Sequence, residues 1–470
     1  MSFENIENVY FIGIGGIGMS ALARYFNAQG KVVSGYDKTS TVLTDELIDE
    51  GINIHFSDNI RNIPAAIRHS QLNPQDVIHN TLIIYTPAVP KSHSELNYFL
   101  DNEYTVKKRA EVLGMITENN FTIAVAGTHG KTTTSSMIAH ILKSSGVNCT
   151  AFLGGISKNY HSNLLLSKDP SKKNIFVVEA DEYDRSFLTL HPDVAVITSM
   201  DADHLDIYGD KKYLEDSYRL FAQQLKPGGK LIYKKGLPLD DLKVKKAEYS
   251  LTNHCDYSAS DIRIENHKMH FDWNNSSSSI RDLSSEMPGM HNVENAVAAI
   301  AAARQLDISA EKISAAMHSY TGVKRRFDYQ LQTDKVVFID DYAHHPEELR
   351  ACISSTRELY PGRKLTGIFQ PHLYSRTRDF VDGFANSLSM LDSLILFDIY
   401  PARELPIPGI TSEVIFEKVT IKDKVLCTAN DVLNELNKRN VDVLLTLGAG
   451  DIDQLVLPIK HQLEKKYNHV

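Results

Sequence analysis

The sequence predicts an α/β protein built from parallel sheets, and two glycine-rich loops carry most of that expectation. The first, Gly13-Ile14-Gly15-Gly16-Ile17-Gly18, follows the apolar run Val9-Tyr10-Phe11-Ile12. The second, Gly127-Thr128-His129-Gly130-Lys131-Thr132-Thr133, follows Phe121 to Ala126. Each apolar run reads as a buried strand, and each loop opens a helix-compatible stretch. Beyond them, short apolar runs alternate with helical stretches along most of the chain, the pattern of a parallel sheet with crossover helices.

At 470 residues the chain exceeds a single core and predicts two to four domains. In the first, Val32 to Asp37 and Thr81 to Thr86 continue the β-α-β series, and Pro87 ends the latter strand. A second unit starts near Glu111, with strands at Phe121–Ala126, Ile175–Val178 and Val194–Ile197. Ile262 to Trp273 alternates like a β-hairpin, Asn274 to Ser279 reads as a flexible loop, and Ala296 to Arg304 as an alanine-rich helix. A third unit begins near Arg325, with strands at Val336–Ile339, Leu365–Phe369, Leu394–Phe397 and Val443–Thr446.

Composition is that of an ordinary globular protein, with 42% apolar and 23% charged residues. A net charge of −9 without a basic stripe argues against nucleic-acid binding. No apolar run is long enough to span a bilayer, and no basic N-terminal segment suggests an export signal. Cys149, Cys255, Cys352 and Cys427 lack paired spacing, which favours free thiols in a reducing cytoplasm.

Gly13, Gly15 and Gly18 fit the dinucleotide fingerprint, in which backbone N–H groups approach a diphosphate at a helix N-terminus; Gly16 lies among them. Asp37, at the end of the next strand, stands where a carboxylate accepts from a ribose hydroxyl. The loop by itself does not choose between NAD, FAD and another nucleotide. The second loop is a shortened Walker A pattern, with Val125 at the usual first glycine. Its amides cradle phosphates, Lys131 reaches the β- and γ-phosphates, and the Thr132 hydroxyl is a Mg²⁺ ligand. Glu179-Ala180-Asp181-Glu182 ends a strand where a Walker B carboxylate would sit, so that Glu179 joins Thr132 in offering hard oxygens to Mg²⁺. Asp203-His204 follows another strand; a histidine there is ordinarily a surface or capping residue. Two phosphate loops in one chain imply two phosphorylated ligands. A dehydrogenase using only the first loop leaves the second unexplained, and a nucleotide-regulated binding protein needs neither the acidic strand end nor the third unit.

Further motifs are GIGGIGMSALA (Gly13 to Ala23), AGTHGKTTT (Ala126 to Thr134), VEADEYDRSFL (Val178 to Leu188) and DADHLDIY (Asp201 to Tyr208). They continue with PGMHNVENAVAAIA (Pro288 to Ala301), GVKRRF (Gly322 to Phe327), DDYAHHPEEL (Asp340 to Leu349), FQPHLYSRTRDF (Phe369 to Phe380), DIYPARELPIPGITS (Asp398 to Ser412) and GAGDI (Gly448 to Ile452). The set resembles the Mur ligases, ATP-dependent amide-forming enzymes of bacterial peptidoglycan synthesis, across essentially the whole chain. GIGGIGM, DDYAHHP and FQPH–YSRT point to the alanine-adding member.

The resemblance implies three domains: a Rossmann-like unit over residues 1–110 for the UDP substrate, a P-loop ATPase-like unit over 111–324, and a Rossmann-like amino-acid-binding unit over 325–470. It implies that the first loop serves UDP-N-acetylmuramate, with Arg109 beside it, and that the partners are small molecules: this substrate, L-alanine and Mg-ATP. It further implies that ATP phosphorylates the N-acetylmuramate carboxylate and that the amino group of L-alanine then displaces phosphate. By the same resemblance, Lys131 stabilises the transferring phosphoryl group, and Thr132, Glu179 and His204 hold Mg²⁺. Asn292 and Asn295 lie by adenine, Arg326 by phosphate and Asp341 by the ATP ribose. Tyr342, His344 and Arg376 surround alanine and the acyl phosphate, while His345 reads equally as a packing residue.

Two departures stand out. The family pattern FQPHRY has Leu373 at its arginine here, which leaves the alanine carboxylate to Arg376, Arg378 or Arg403. Several siblings hold the second metal with a carbamoylated lysine after the DH motif. This chain has Lys211 and Lys212, then no lysine from Tyr213 through Leu225, with Ser217 and Arg219 in the corresponding stretch.

Overall fold

The computed structural model describes residues 3–68, 74–169, 171–201, 208, 210–252, 255–402 and 404–467. Its strands form three sheets. The first holds β1 (Asn8–Ile12), β2 (Val32–Tyr36), β3 (Asn53–His55), β4 (Thr81–Tyr85) and β5 (Thr105–Lys108) in the order β3-β2-β1-β4-β5. All four of its pairings are parallel. The strand order reverses at β1 and β4, so the first glycine loop, which follows β1, sits where parallel sheets open a crevice for ligands.

The second sheet holds β6 (Phe121–Ala126), β7 (Cys149–Ser157), β8 (Ser162–Leu165), β9 (Ile175–Glu179), β10 (Val194–Ile197), β11 (Lys230–Lys234), β12 (Lys246–Ser250), β13 (Tyr257–Glu265), β14 (Lys268–Asn275) and β15 (Ser279–Ser285). Its order is β15-β14-β13-β12-β11-β10-β6-β9-β7-β8. The P-loop strand β6 thus lies between β10 and β9, parallel to both. The third sheet holds β16 (Asp328–Gln332), β17 (Val337–Asp341), β18 (Leu365–Phe369), β19 (Ser393–Leu396), β20 (Asp423–Leu426) and β21 (Val443–Leu447). Its order is β16-β17-β21-β18-β19-β20, parallel except for β16.

Two departures from the sequence expectation are local. The segment Asn274 to Ser279 is a tight turn between β14 and β15, because the Asn275 side-chain oxygen accepts from the N–H groups of Ser277 (2.9 Å) and Ser278 (2.7 Å). The alanine-rich helix starts earlier than its alanines, running Met290–Ala303.

Contacts divide the chain into two compact units. One comprises Met1–Ser260, Trp273–Arg281 and Glu294–Tyr320, and the other Asp261–Asp272, Asp282–Val293 and Thr321–Val470. In the first unit one apolar core runs from Val9, Phe11, Leu22 and Phe26 to Phe152, Phe176, Phe187, Tyr218 and Phe221, and a separate cluster includes Tyr10, Ile12, Ile83 and Phe99. Each such buried side chain contributes about 1.5–3 kcal/mol relative to exposure. The helix Ile17–Ala28 is pinned to the second sheet by polar contacts. Arg24 donates to Asn163 (2.6 Å), and the Asn163 amide donates to the Ile17 carbonyl (2.6 Å). In the second unit Val336, Phe338, Ile368, Ile395, Phe397 and Leu444 form the centre of a separate core. Among the described residues no helix is long and apolar enough to cross a membrane. All four cysteines are free thiols.

Candidate active site

The first loop turns directly after β1, where the N–H groups of Gly13 and Ile14 donate to the Tyr36 carbonyl. Gly16 then caps the helix Ile17–Ala28. Asp37 holds the loop's shape: one carboxylate oxygen accepts from Gly15 N–H (2.7 Å) and the other from Thr39 N–H (3.2 Å). Arg109 opens the helix Arg109–Thr117. Its guanidinium lies against Gly18, since a methyl group there would fall 2.7 Å from Nη1.

The second loop leaves β6 and enters the helix Lys131–Ser144 through Gly130, whose φ of 83° favours glycine. No acidic residue occupies the first turn of that helix, so its N–H dipoles are left for an anion. Loop geometry is fixed from the neighbouring strand. His129 N–H donates to the Ser199 hydroxyl (2.8 Å), and the Thr128 hydroxyl donates to the Asp201 carbonyl (2.9 Å). Gly127 lies against Thr198, and Gly130 against the Asn295 amide. Thr133 is buried in the first helical turn.

Lys131 Nζ donates to the Gly127 carbonyl (2.6 Å) and to both oxygens of Glu182 (2.9 and 2.7 Å). Glu182 is only 2% exposed, so this is a buried ion pair. Burial by itself lowers the pKa of the Lys131 ammonium, and the charges of Glu182, Asp181 and Glu179 reverse the effect to a net rise. Next to this pair, the Thr132 hydroxyl meets Glu179 Oε1 at 3.1 Å, while Glu179 Oε2 accepts from Gly154 N–H at 3.0 Å. Thr132 and Glu179 therefore present hard oxygen donors at one point. Asp203, His204 and Arg403 lie outside the described residues.

On the helix Met290–Ala303 the Asn292 amide donates to the Pro288 carbonyl (2.7 Å), holding the entry turn, while Asn295 faces the P-loop glycine.

The second unit gathers its candidates at the carboxyl ends of its strands. Asp341 ends β17, where its carboxylate accepts from Phe327 N–H (2.7 Å) and Ala343 N–H (2.8 Å). Burial pushes it up to about 6, against the pull of Arg326. The Arg325 and Arg326 guanidiniums each lie 5.1 Å from the Tyr342 ring centre. Arg325, which the sequence reading did not single out, also donates to the Gly448 carbonyl (2.6 Å) and pairs with buried Asp340 (3.3 Å). His344 Nδ1 sits 3.0 Å from the Tyr342 carbonyl and 3.2 Å from Glu348 Oε2. His345 instead caps the helix Pro346–Leu359 and packs on Phe380, the structural role.

After β18, Leu373 adopts φ 71° with its N–H on the Tyr400 carbonyl (2.9 Å), and its side chain is buried. Arg376 is 6% exposed, with Nη1 3.2 Å from His372 Nδ1. His372 in turn stacks on Tyr400, with ring centres 5.7 Å apart. Arg378 points elsewhere, to Asp379 (2.7 Å), and is 52% exposed. The cluster thus joins Tyr342, His344, His372, Arg376 and Tyr400.

Residues 8–120 match the family description "Mur ligase family, catalytic domain", residues 125–303 "Mur ligase middle domain" and residues 325–450 "Mur ligase, glutamate ligase domain". The chain belongs to the Mur ligase family. This Mur ligase is similar to the UDP-N-acetylmuramate–L-alanine ligase of Flavobacterium johnsoniae, with 51% identity covering 99% of this chain and 100% of that one. The enzyme of the same name from Parabacteroides distasonis is 52% identical, covering 99% of each chain. Among solved structures, the Thermotoga maritima UDP-N-acetylmuramate–alanine ligase matches with a TM-score of 0.81 at 25% identity, covering 98% of this chain and 99% of that one. A murein peptide ligase from Psychrobacter arcticus shares the fold, with a TM-score of 0.70 at 23% identity and coverage of 97% and 98%.

Beside Arg325, His372 and Tyr400, Glu182 and Gly154 are candidate site residues that sequence reasoning passed over. Glu182 was visible within the acidic strand end, but spacing could not say which carboxylate faces Lys131. Gly154 gave no signal: only the tertiary fold shows that a methyl group there would lie 2.2 Å from Glu179 Oε2.

Proposed function

We propose that this Mur ligase joins L-alanine to the lactyl carboxylate of UDP-N-acetylmuramate at the expense of ATP, in peptidoglycan precursor synthesis. The observation that carries the proposal is a P-loop lysine held by a buried carboxylate beside the Thr132–Glu179 oxygen pair, in a chain about half identical throughout to enzymes of that name. A carboxylate is a poor electrophile. Its oxygen attacks the γ-phosphorus and ADP departs, leaving an acyl phosphate. The alanine nitrogen then attacks the carbonyl carbon, loses a proton and expels phosphate. Lys131 and the helix N-terminus behind it supply positive charge where negative charge builds up on the transferring group.

In this reading Thr132, Glu179 and His204 hold Mg²⁺, which would neutralise phosphate charge when bound. The described Thr132 and Glu179 fit the ion, because both offer hard oxygens. Tyr342, His344 and Arg376 receive alanine. Two acceptors beside His344 Nδ1, the Tyr342 carbonyl and Glu348, keep a proton on that nitrogen and fix the ring beside the alanine site. The first loop takes the UDP diphosphate, with Gly13, Gly15, Gly16 and Gly18 as its backbone and Arg109 as its cation. Asp37, which accepts from Gly15 N–H in the loop and from Thr39 N–H just beyond β2, favours a loop-shaping role over the ribose grip of a dehydrogenase.

Phosphate release should require UDP-N-acetylmuramate, L-alanine, ATP and Mg²⁺ together. Equal turnover with L-alanyl-γ-D-glutamyl-diaminopimelate in place of alanine would move the protein to tripeptide recycling.

Gly154→Ala should displace Glu179 and cut turnover by about 10²-fold while raising the Mg²⁺ requirement, since small misplacements at a reacting centre have effects of this size. A Mg²⁺ titration of phosphate release measures both, and an unchanged titration would remove Glu179 from the metal site.

Bicarbonate depletion should leave activity intact. On the helix Lys211–Gln223, the buried Ser217 hydroxyl donates to the Tyr213 carbonyl (2.9 Å), and Arg219 grips Asp241 (2.8 and 2.5 Å). Neither side chain has an amine to carbamoylate. A carbamate detected by mass spectrometry on Lys211 or Lys212 would refute this.

A further inference from the structure

The two phosphate loops are joined by a chain of two charge pairs set one residue apart. Arg109 rests on Gly18, in the first turn of the helix that the first loop opens. Its Nη2 donates to Asp181 Oδ2 at 3.1 Å. The next residue is Glu182, whose carboxylate holds Lys131 Nζ at 2.7 and 2.9 Å.

The segment carrying both acids is itself tied down. The Tyr208 hydroxyl donates to the Glu182 carbonyl (2.5 Å), and Arg185 N–H donates to the same carbonyl (2.9 Å). Asp184 and Arg185 follow with φ of 53° and 54°, left-handed backbone at two successive residues that are not glycine. Asp184 pairs with Lys108 at 2.7 Å. Such a conformation persists only where surrounding contacts hold it.

We propose that Glu182 is a positioning residue that competes with the nucleotide phosphates for Lys131, and that the Arg109–Asp181 pair couples this competition to occupancy of the first loop. Three facts support this. Lys131 reaches back to the Gly127 carbonyl and Glu182, so ATP phosphates must compete with a buried carboxylate for it. Arg109 is the cation beside the first loop, so a diphosphate bound there draws on the same guanidinium that holds Asp181. Asp181 and Glu182 are adjacent, so a shift of one moves the other. The consequence is positive coupling: each ligand tightens the binding of the other by the same factor.

The inference rests on the assignment of the first loop to the UDP substrate. Calorimetry of Mg-ADP binding, with and without saturating UDP-N-acetylmuramate, tests both. The wild-type protein should bind UDP-N-acetylmuramate alone, and Mg-ADP should bind about fivefold or more tightly in its presence. Asp181→Asn should abolish the coupling while both ligands still bind; this side chain is 38% exposed, so the fold tolerates the change. Asp184→Asn, in the same segment but off the route, should keep the coupling. Glu182→Gln should raise Mg-ADP affinity without UDP substrate, because it removes the competitor for Lys131.

Absence of UDP-N-acetylmuramate binding would overturn the loop assignment and the inference with it. Binding without coupling, coupling that survives Asp181→Asn, equal loss in Asp184→Asn, or weaker nucleotide binding in Glu182→Gln would overturn the inference alone.

Discussion

Lys131→Ala lowers kcat by about 10²–10³-fold or more, the cost of removing a preorganised cation from the transferring phosphoryl group. The structure adds a second consequence. Lys131 is the counter-charge of Glu182, which is 2% exposed and which burial pushes up to about 7 even beside the lysine, so removing Lys131 costs at most about 3–5 kcal/mol, less what Glu182 recovers by taking up a proton. The alanine variant should therefore also unfold at lower temperature. The two effects separate in a double variant. Glu182→Gln in the Lys131→Ala background restores much of the lost stability, because no buried charge remains uncompensated, but it does not restore turnover. Thermal denaturation and single-turnover phosphate release measure the two quantities independently. A Lys131→Ala protein with wild-type kcat would remove the P-loop from the reaction.

Arg376→Ala raises the KM for L-alanine by about 10²-fold or abolishes turnover, as expected when a desolvated carboxylate loses its charge-assisted partner. The physical need is simple. Leucine at 373 cannot neutralise a carboxylate, and its side chain is buried on a backbone with φ 71°. Of the arginines in this motif, Arg376 is buried beside His372, whereas Arg378 is half exposed and engaged by Asp379. Arg378→Ala should accordingly leave alanine kinetics near normal. Arg376→Lys should recover only part of the affinity, because an ammonium lacks the planar fork of a guanidinium. Initial rates across an alanine titration decide the matter; near-normal kinetics for Arg376→Ala would place the carboxylate contact elsewhere.

Local pattern was enough to reveal the α/β class, both glycine-rich loops, the strands that precede them and the charged motifs at strand ends. The reason is that these features are short-range. A glycine loop between an apolar strand and a helix is encoded within a dozen residues, and the alternation of strand and helix follows from hydrophobic period. Even the turn at Asn275, expected as a loop, is a local matter of one side chain accepting from the next N–H groups.

Tertiary structure alone decided which distant groups meet. Lys131 and Glu182 come together because β6 and β9 are neighbours, a strand order that no local period specifies. The same adjacency, extended to β7, brings Gly154 against Glu179, so a residue with no chemistry of its own controls the position of a carboxylate. Asp37 matched a ribose-binding fingerprint by spacing; only the fold shows that one of its oxygens also accepts from Gly15 N–H of the loop and the other from Thr39 N–H. Arg109 and Asp181 were each visible as charges; their pairing depends on two sheets sharing one core. Sequence thus determined the chemical inventory of this Mur ligase. The packing of its strands determined which members of that inventory touch, because a hydrogen bond or ion pair depends on separation in space rather than along the chain.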